Sequence, residues 1–113
     1  MIEILVRDYL KNELDVPVYM EKPKNEEMPK RCVFLEKTGS SEADHVCRAT
    51  IAIQSYAERM HEAAVLNESV KEAMKGIVAL PQVGKVRLNS DYNFTDTREK
   101  KYRYQAVFDL VHY

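Results

Sequence analysis

The sequence predicts a single α+β domain, and three observations carry that prediction. Apolar residues step at helical spacing in two stretches, Ile2 to Leu14 and Glu58 to Leu80. They alternate at strand spacing in two long pairs, Cys32–Thr38 with Val46–Tyr56, and Val83–Thr95 with Lys101–Tyr113. The second helical stretch lies between the pairs, so the expected order is helix, strand, hairpin, helix, hairpin. That order implies a mixed, mostly antiparallel sheet of about four to five strands with two helices on one face.

A chain of 113 residues builds one core, so residues 1–113 are expected to form one domain. Hydrophobic residues make up 45% and charged residues 31%, a globular balance. The 17 basic and 18 acidic residues leave a net charge of -1, which argues against a nucleic-acid binder driven by a strong overall positive field and leaves room for a local basic patch. No apolar run approaches the ~18 residues of a membrane span. The opening "MIEILVRDYLKNELD" carries Glu3 and Asp8 and lacks a basic region before a continuous apolar stretch. It does not read as a signal peptide, and cytosolic residence is expected.

The first helix is written by Ile2, Leu5, Val6, Tyr9, Leu10 and Leu14, one apolar stripe at spacings of three and four that Asp15 and Pro17 end. "PVYM", Pro17 to Met20, reads as a short strand whose proline suits an edge. Glu21 to Arg31, charged and holding Pro23 and Pro29, reads as an exposed loop. The second helix presents Met60, Ala63, Ala64, Val70, Ala73, Met74 and Ile77, and ends by Pro81. On its polar face Glu68–Lys71 and Glu72–Lys75 at i,i+3 offset the like-charge pair Glu68–Glu72.

Pairing rules suggest registers for both hairpins. Centred on "GSSEADH", Gly39 to His45, the first pairs Val33 with Ile51, Leu35 with Ala49, Phe34 with Thr50 and Glu36 with Arg48. Cys32 and Cys47 then fall on opposite faces, which argues against a disulfide or a shared metal. The second hairpin pairs Val86 with Leu110, Arg87 with Asp109, Leu88 with Phe108, Tyr92 with Tyr104 and Phe94 with Tyr102, an aromatic ladder near the turn. Its arms span about 40 Å, more than a helix of about 35 Å covers obliquely. The turn end with Tyr92, Phe94, Tyr102 and Tyr104 is therefore expected to project beyond the core. The helices are expected to cover Val33, Leu35, Ile51, Ile53, Val86, Leu88, Phe108 and Leu110, leaving Phe34, Thr50, Gln54, Tyr56, Val107 and Val111 on the other face.

The strand-to-helix corner "QSYAER", Gln54 to Arg59, is where chemistry would be sought, but no catalytic constellation is complete. "HEAA" at His61 lacks the second histidine of a zinc helix, and Ser55 with His61 lacks an orienting group and an oxyanion donor. There is no glycine-rich phosphate loop, since the only glycines are Gly39, Gly76 and Gly84. The cysteines Cys32 and Cys47 and the histidines His45, His61 and His112 have no paired-ligand spacing. No catalytic residue, metal or cofactor is expected.

The order of elements, with "VPVYMEKP", "IAIQSYAERMHEAAVLNESVKEAM" and the aromatic "SDYNFTD" and "KKYRYQAVFDLVHY", resembles the tail-terminator, or tail-completion, proteins of long-tailed bacteriophages, including the lambda-type minor tail protein U group. The resemblance covers nearly the whole chain. It implies a non-enzymatic viral structural protein that forms a ring, a homo-hexamer, at the head-proximal end of the tail tube. Such a ring ends tube polymerisation and provides the head-tail joining surface. The implied partners are a second copy of the chain, the major tail tube protein and head-tail connector proteins. DNA passes through without sequence reading, and no membrane is involved. The implied location is the virion tail neck, after the host bacterial cytoplasm.

The expected interface residues are Phe34, Gln54 and Tyr56 on the helix-free face, Tyr92, Phe94, Tyr102 and Tyr104 at the hairpin end, and Lys24, Glu26, Glu27 and Lys30 in the proline-containing loop. Three other readings stand beside this one. They are another neck or connector component, a small ligand-binding regulatory α+β domain, and a small enzyme. A regulatory domain needs a glycine-rich turn or a convergent polar pocket, and only Gly39 and Gly84 lie at plausible turns.

Overall fold

A computed structural model describes residues 1–21, 29–99 and 101–113. The elements run α1 (Ile2–Glu13), β1 (Val18–Tyr19), β2 (Cys32–Ala43), β3 (Val46–Ala57), α2 (Met60–Lys75), a 3-10 turn (Gly76–Ala79), β4 (Val83–Asn93) and β5 (Tyr102–His112). Among the described residues the strands form one five-stranded sheet in the order β1-β2-β3-β5-β4. The β1–β2 pair is parallel and the other pairs are antiparallel. The α+β prediction holds, with the proline-preceded β1 at an edge. Strands β3 and β4 both run antiparallel to the β5 that separates them, so α2 links parallel strands, the arrangement to which the right-handed crossover rule applies.

Both helices pack on one face of the sheet. From α1, Ile2, Val6 and Leu10 are buried at i, i+4 and i+8. From α2 the buried stripe is Ala63, Leu66, Asn67, Val70 and Met74. These residues meet Val33, Leu35, Ala49, Ile51, Ile53, Ala106, Phe108 and Leu110 in one core. Leu66 and Asn67 belong to the α2 stripe although the spacing argument passed over them. Asn67 is tolerated because its Nδ2 donates to Asp91 Oδ1 of β4 at 2.6 Å. Lys71 Nζ reaches the other Asp91 oxygen at 2.5 Å and Glu68 at 2.7 Å, and these bonds hold the ammonium above its ordinary range. The expected i,i+3 pair Glu72–Lys75 is also formed, at 3.2 Å.

The second helix ends earlier than Pro81 implies. Gly76 caps it and the chain tightens into the 3-10 turn. A side chain at Gly76 would meet the Tyr9 hydroxyl 2.9 Å away, and that hydroxyl donates to Ala73 O at 2.6 Å. The close approach lets α1 add a second donor to a carbonyl in the last turn of α2 that the Gly76 N–H also reaches.

Both hairpins depart from the expected registers, the first because its turn is displaced and the second because of a bulge. In the first, the expected loop Gly39–His45 is mostly strand. The chain reverses at Asp44 and His45, whose φ values of 52° and 65° are left-handed. Positive φ at both central residues is the two-residue hairpin geometry. The turn thus sits beyond Gly39, and Leu35 faces Ile53 rather than Ala49, while Val33 faces Ser55. An irregularity at Thr38 restores even parity, so the predicted faces survive. Cys32 and Cys47 lie on opposite faces, and both are free.

In the second hairpin the predicted pairs Val86–Leu110, Arg87–Asp109 and Leu88–Phe108 are present. A bulge at Asn89 then advances β4 by one residue, so Tyr92 faces Gln105 and Asn93 faces Tyr104. The expected ladder of Tyr92 with Tyr104 and Phe94 with Tyr102 does not form. Asn93 and Thr95 contact the sulfur of Met60, tying the hairpin end to the start of α2. The barer projection is the first hairpin, where every residue from Glu36 to His45 is exposed. Leu88 is also 45% exposed, because α2 packs mainly over β3 and β5 and reaches edge strand β4 less.

Candidate functional site: the open face of the sheet

With both helices on one side, no element among the described residues covers the opposite face of the sheet, and register fixes what it carries. Strand β1 supplies Tyr19, β2 supplies Phe34, and β3 supplies Gln54 and Tyr56. Strand β5 supplies Arg103 and Gln105, opposite Tyr56 and Gln54. The Asn89 bulge brings Tyr92 of β4 to the same face, beside Gln105. Phe94 follows, its N–H donating to Arg103 O at 2.9 Å.

These side chains form one connected band across all five strands. Tyr19 and Phe34 have ring centroids 5.5 Å apart, and Phe34 meets Tyr56 edge-on at 5.7 Å. Tyr56 donates to Gln54 Oε1 at 3.0 Å, and Gln54 Nε2 donates to Gln105 Oε1 at 2.8 Å. Gln105 in turn donates to the Tyr92 hydroxyl. The Arg103 guanidinium lies over the Phe94 ring, 4.4 Å from its centroid, and donates to Phe94 O at 2.6 Å and to Tyr56 Oη at 3.0 Å. Tyr92 and Phe94 close the band with an edge-to-face contact at 5.9 Å. Tyr92 is 42% exposed and Phe94 40%, while Gln105 beneath them is buried.

Rings held by hydrogen bonds, edge contacts and a stacked cation have little side-chain freedom left to lose on docking. Aromatic residues with arginine over a desolvated centre are the composition of binding hot spots. The band presents aromatic rings, two amides and one guanidinium. It holds no nucleophile–base pair, and among the described residues no group of three His, Cys, Asp or Glu side chains comes together to hold a metal. Ser55 is buried, on the helix side by parity, and His61 is exposed; no hydrogen bond joins them.

Of the expected interface residues, Phe34, Gln54, Tyr56, Tyr92 and Phe94 share this face. Tyr102 and Tyr104 do not. They stand opposite Ala57 and Ser55 with the parity of Ala106 and Phe108, which puts them on the helix side. Lys30 pairs with Glu58 at 3.3 Å, at the sheet end where Tyr56 sits. Lys24, Glu26 and Glu27 lie outside the described residues. Tyr19, Arg103 and Gln105 were missed. Alternation along β5 from Val107 and Val111 points to Gln105 and Arg103, and alternation through "PVYM" separates Tyr19 from Val18.

The far end of the same face is polar and basic, with Arg48, Lys85 and Arg87 around Asp109. Asp109 accepts from Asn89 Nδ2 and Thr50 Oγ1 at 2.9 Å each and from Arg87 at 3.1 Å. These bonds, Asn89 first, hold its carboxyl below the usual range against the opposing effect of partial burial. A carboxyl whose folded pKa lies below its unfolded value of 3.8 adds stability above that value and loses it as pH falls through the folded pKa. Asp109→Asn should therefore lower stability at neutral pH and flatten its acid limb below about pH 4, read by urea melts across pH. An unchanged acid limb would show that Asp109 titrates alike in both states.

The fold is α+β with both helices on one face of the sheet and a hydrogen-bonded aromatic band on the other. The chain matches no protein-family model, and no curated protein matches it at a significant level. No helix among the described residues is long and apolar enough to cross a membrane.

Proposed function

We propose that the chain is a structural protein of a phage or prophage tail neck that self-associates through the open face of its sheet. In this reading the copies form a ring, a homo-hexamer, at the head-proximal end of the tail tube. The ring ends tube polymerisation and presents the surface that head-tail connector proteins meet, and the protein works without catalysis. The observation that carries the reading is the band from Tyr19 to Tyr92, continuous over all five strands on the face the helices leave bare. The sequence resemblance supplies the setting.

Face docking also fits the sheet's edges. Among the described residues strand β2 has no partner on its outer side beyond Phe34, but it is irregular at Thr38 and carries Glu36, Lys37 and Glu42. Strand β4 breaks register at Gly84 and Asn89. Bulges and charges are devices that block edge-to-edge pairing. A closed ring needs two different complementary patches on each copy, and the open face supplies one.

The test is assembly with and without tail tubes. Light scattering should show self-association at high protein concentration or on added tubes, and electron microscopy should place the density at the head-proximal tube end. Normal-length, capped tails formed in its absence would overturn the proposal.

A further inference from the structure

Beyond the aromatic band, the basic end of the open face forms a cleft of about 460 Å³ lined by Ser40, Ser41, Arg48, Lys85, Arg87 and Asp109, among others. Register sets the spacing of its cations. Arg48 and Lys85 both stand opposite Val111, one on each side of β5, so their backbones lie about 10 Å apart. Arg87 follows Lys85 two residues along β4, about 7 Å away. Among the described residues, Arg48 and Lys85 form no ion pair and no side-chain hydrogen bond. Arg87 shares its charge with Asp109.

Each property of the cleft narrows the ligand. Positive charge with the hydroxyl of Ser41, which stands opposite Arg48, is the donor set that contacts phosphate oxygens. Cations spread over several ångströms on an open face suit a row of charges better than one enclosed anion. No aromatic side chain lines the cleft. A single-stranded nucleic acid would want stacking platforms, and a protein partner would want an apolar anchor. Those features are concentrated in the aromatic band instead. We propose that the cleft binds the phosphodiester backbone of double-stranded DNA, with Arg48, Lys85 and Arg87 each meeting a phosphate and no base being read. Asp109 subtracts from the positive field, so the contact is weak and salt-sensitive. The assignment rests on the cleft and holds whether or not the chain forms a ring.

The test is fluorescence anisotropy of a short labelled duplex with the unassembled chain over a salt series. Three phosphate contacts give a slope of log affinity on log salt of about -2.7, or roughly a 40-fold loss for a fourfold rise in salt. Arg48→Ala or Lys85→Ala should flatten the slope to about -1.8, roughly a 12-fold loss, equally for every duplex sequence. Both side chains are exposed, so the variants should melt like wild type. If either melts lower, the glutamine variant at that position takes its place. No duplex binding at low salt, an unchanged slope in both variants, equal or tighter single-strand binding, or binding of inorganic phosphate or an acidic peptide in place of duplex would overturn the assignment. A chain that binds duplex in this way yet never assembles refutes the ring and leaves the cleft. A ring whose duplex binding ignores both substitutions refutes the cleft and leaves the ring.

Discussion

Replacing Tyr92 and Phe94 together by serine is expected to weaken self-assembly at least about thirtyfold while the chain still folds cooperatively. Loss of one central aromatic contact commonly costs about 2 kcal/mol of binding or more, and that much is about thirtyfold in affinity. The folding cost is of similar size, about 2–4 kcal/mol, because about three-fifths of each ring is covered and the hydrogen bond between Gln105 and Tyr92 is lost, and a domain held by the usual ~5–15 kcal/mol still folds. The comparison that gives the result meaning is Tyr102→Ser with Tyr104→Ser. Those two rings lie on the helix side, so their loss should destabilise the fold and leave the assembly constant of the folded chain unchanged. Urea melts measure the first quantity and sedimentation or light scattering the second. If both pairs behave alike, the open face is not the contact surface. If the Tyr92 and Phe94 variant assembles normally, assembly runs through a different patch.

This contrast depends on one residue that the sequence does not announce. The pairs Val86–Leu110 to Leu88–Phe108 follow from matching apolar with apolar and Arg87 with Asp109, and the structure contains them. Continuing that match leads to Tyr92 facing Tyr104, because two tyrosines make an attractive pair. The bulge at Asn89 breaks the sequence of pairs without a glycine to mark it. What stabilises the slip is distributed: Asp91 turns to Asn67 and Lys71 of α2, Asn89 turns to Asp109, and Tyr92 meets Gln105. A one-residue slip moves each following side chain to the other face. Tyr92 and Phe94 thereby leave the helix side and join Phe34, Gln54 and Tyr56.

The first hairpin departs from its expected register more mildly. Its turn residues, Asp44 and His45, lack the glycine of the usual left-handed turn, so Gly39 drew the expected loop toward itself. Two departures of odd parity, the displaced turn and the irregularity at Thr38, then cancelled, and the predicted faces stood. Helices were easier to read because the α1 and α2 stripes repeat over several turns, so single exceptions such as Asn67 do not change the face. Of the basic cleft, the sequence shows only that the charge balance permits a local basic patch. Its cations come from β3 and β4, which touch the same β5 residue only once the sheet order is known.

The same distinction between predicted face and actual cover gives the largest expected effect on stability. Ile53 and Leu88 were both assigned to the helix side by alternation. Ile53 lies in the central strand, fully buried between Leu35 of β2 and Ala106 of β5. Leu88 lies in the edge strand and is 45% exposed. Ile53→Ala removes buried methyl groups from a core whose neighbours are held in the sheet and cannot close the gap, so the cost should be about 2–5 kcal/mol. For a domain of this size that lowers the melting temperature by about 10–20 °C, and it is a large share of the 5–15 kcal/mol that usually holds such a domain folded. Leu88→Ala leaves no enclosed cavity and should cost less than about 1 kcal/mol. Denaturant melts of the two variants decide the point. Equal, large losses would mean that Leu88 is covered in solution, placing α2 or another surface over the β4 edge. Equal, small losses would mean that the sheet can relax around Ile53 and that the core is less closely packed than its burial implies.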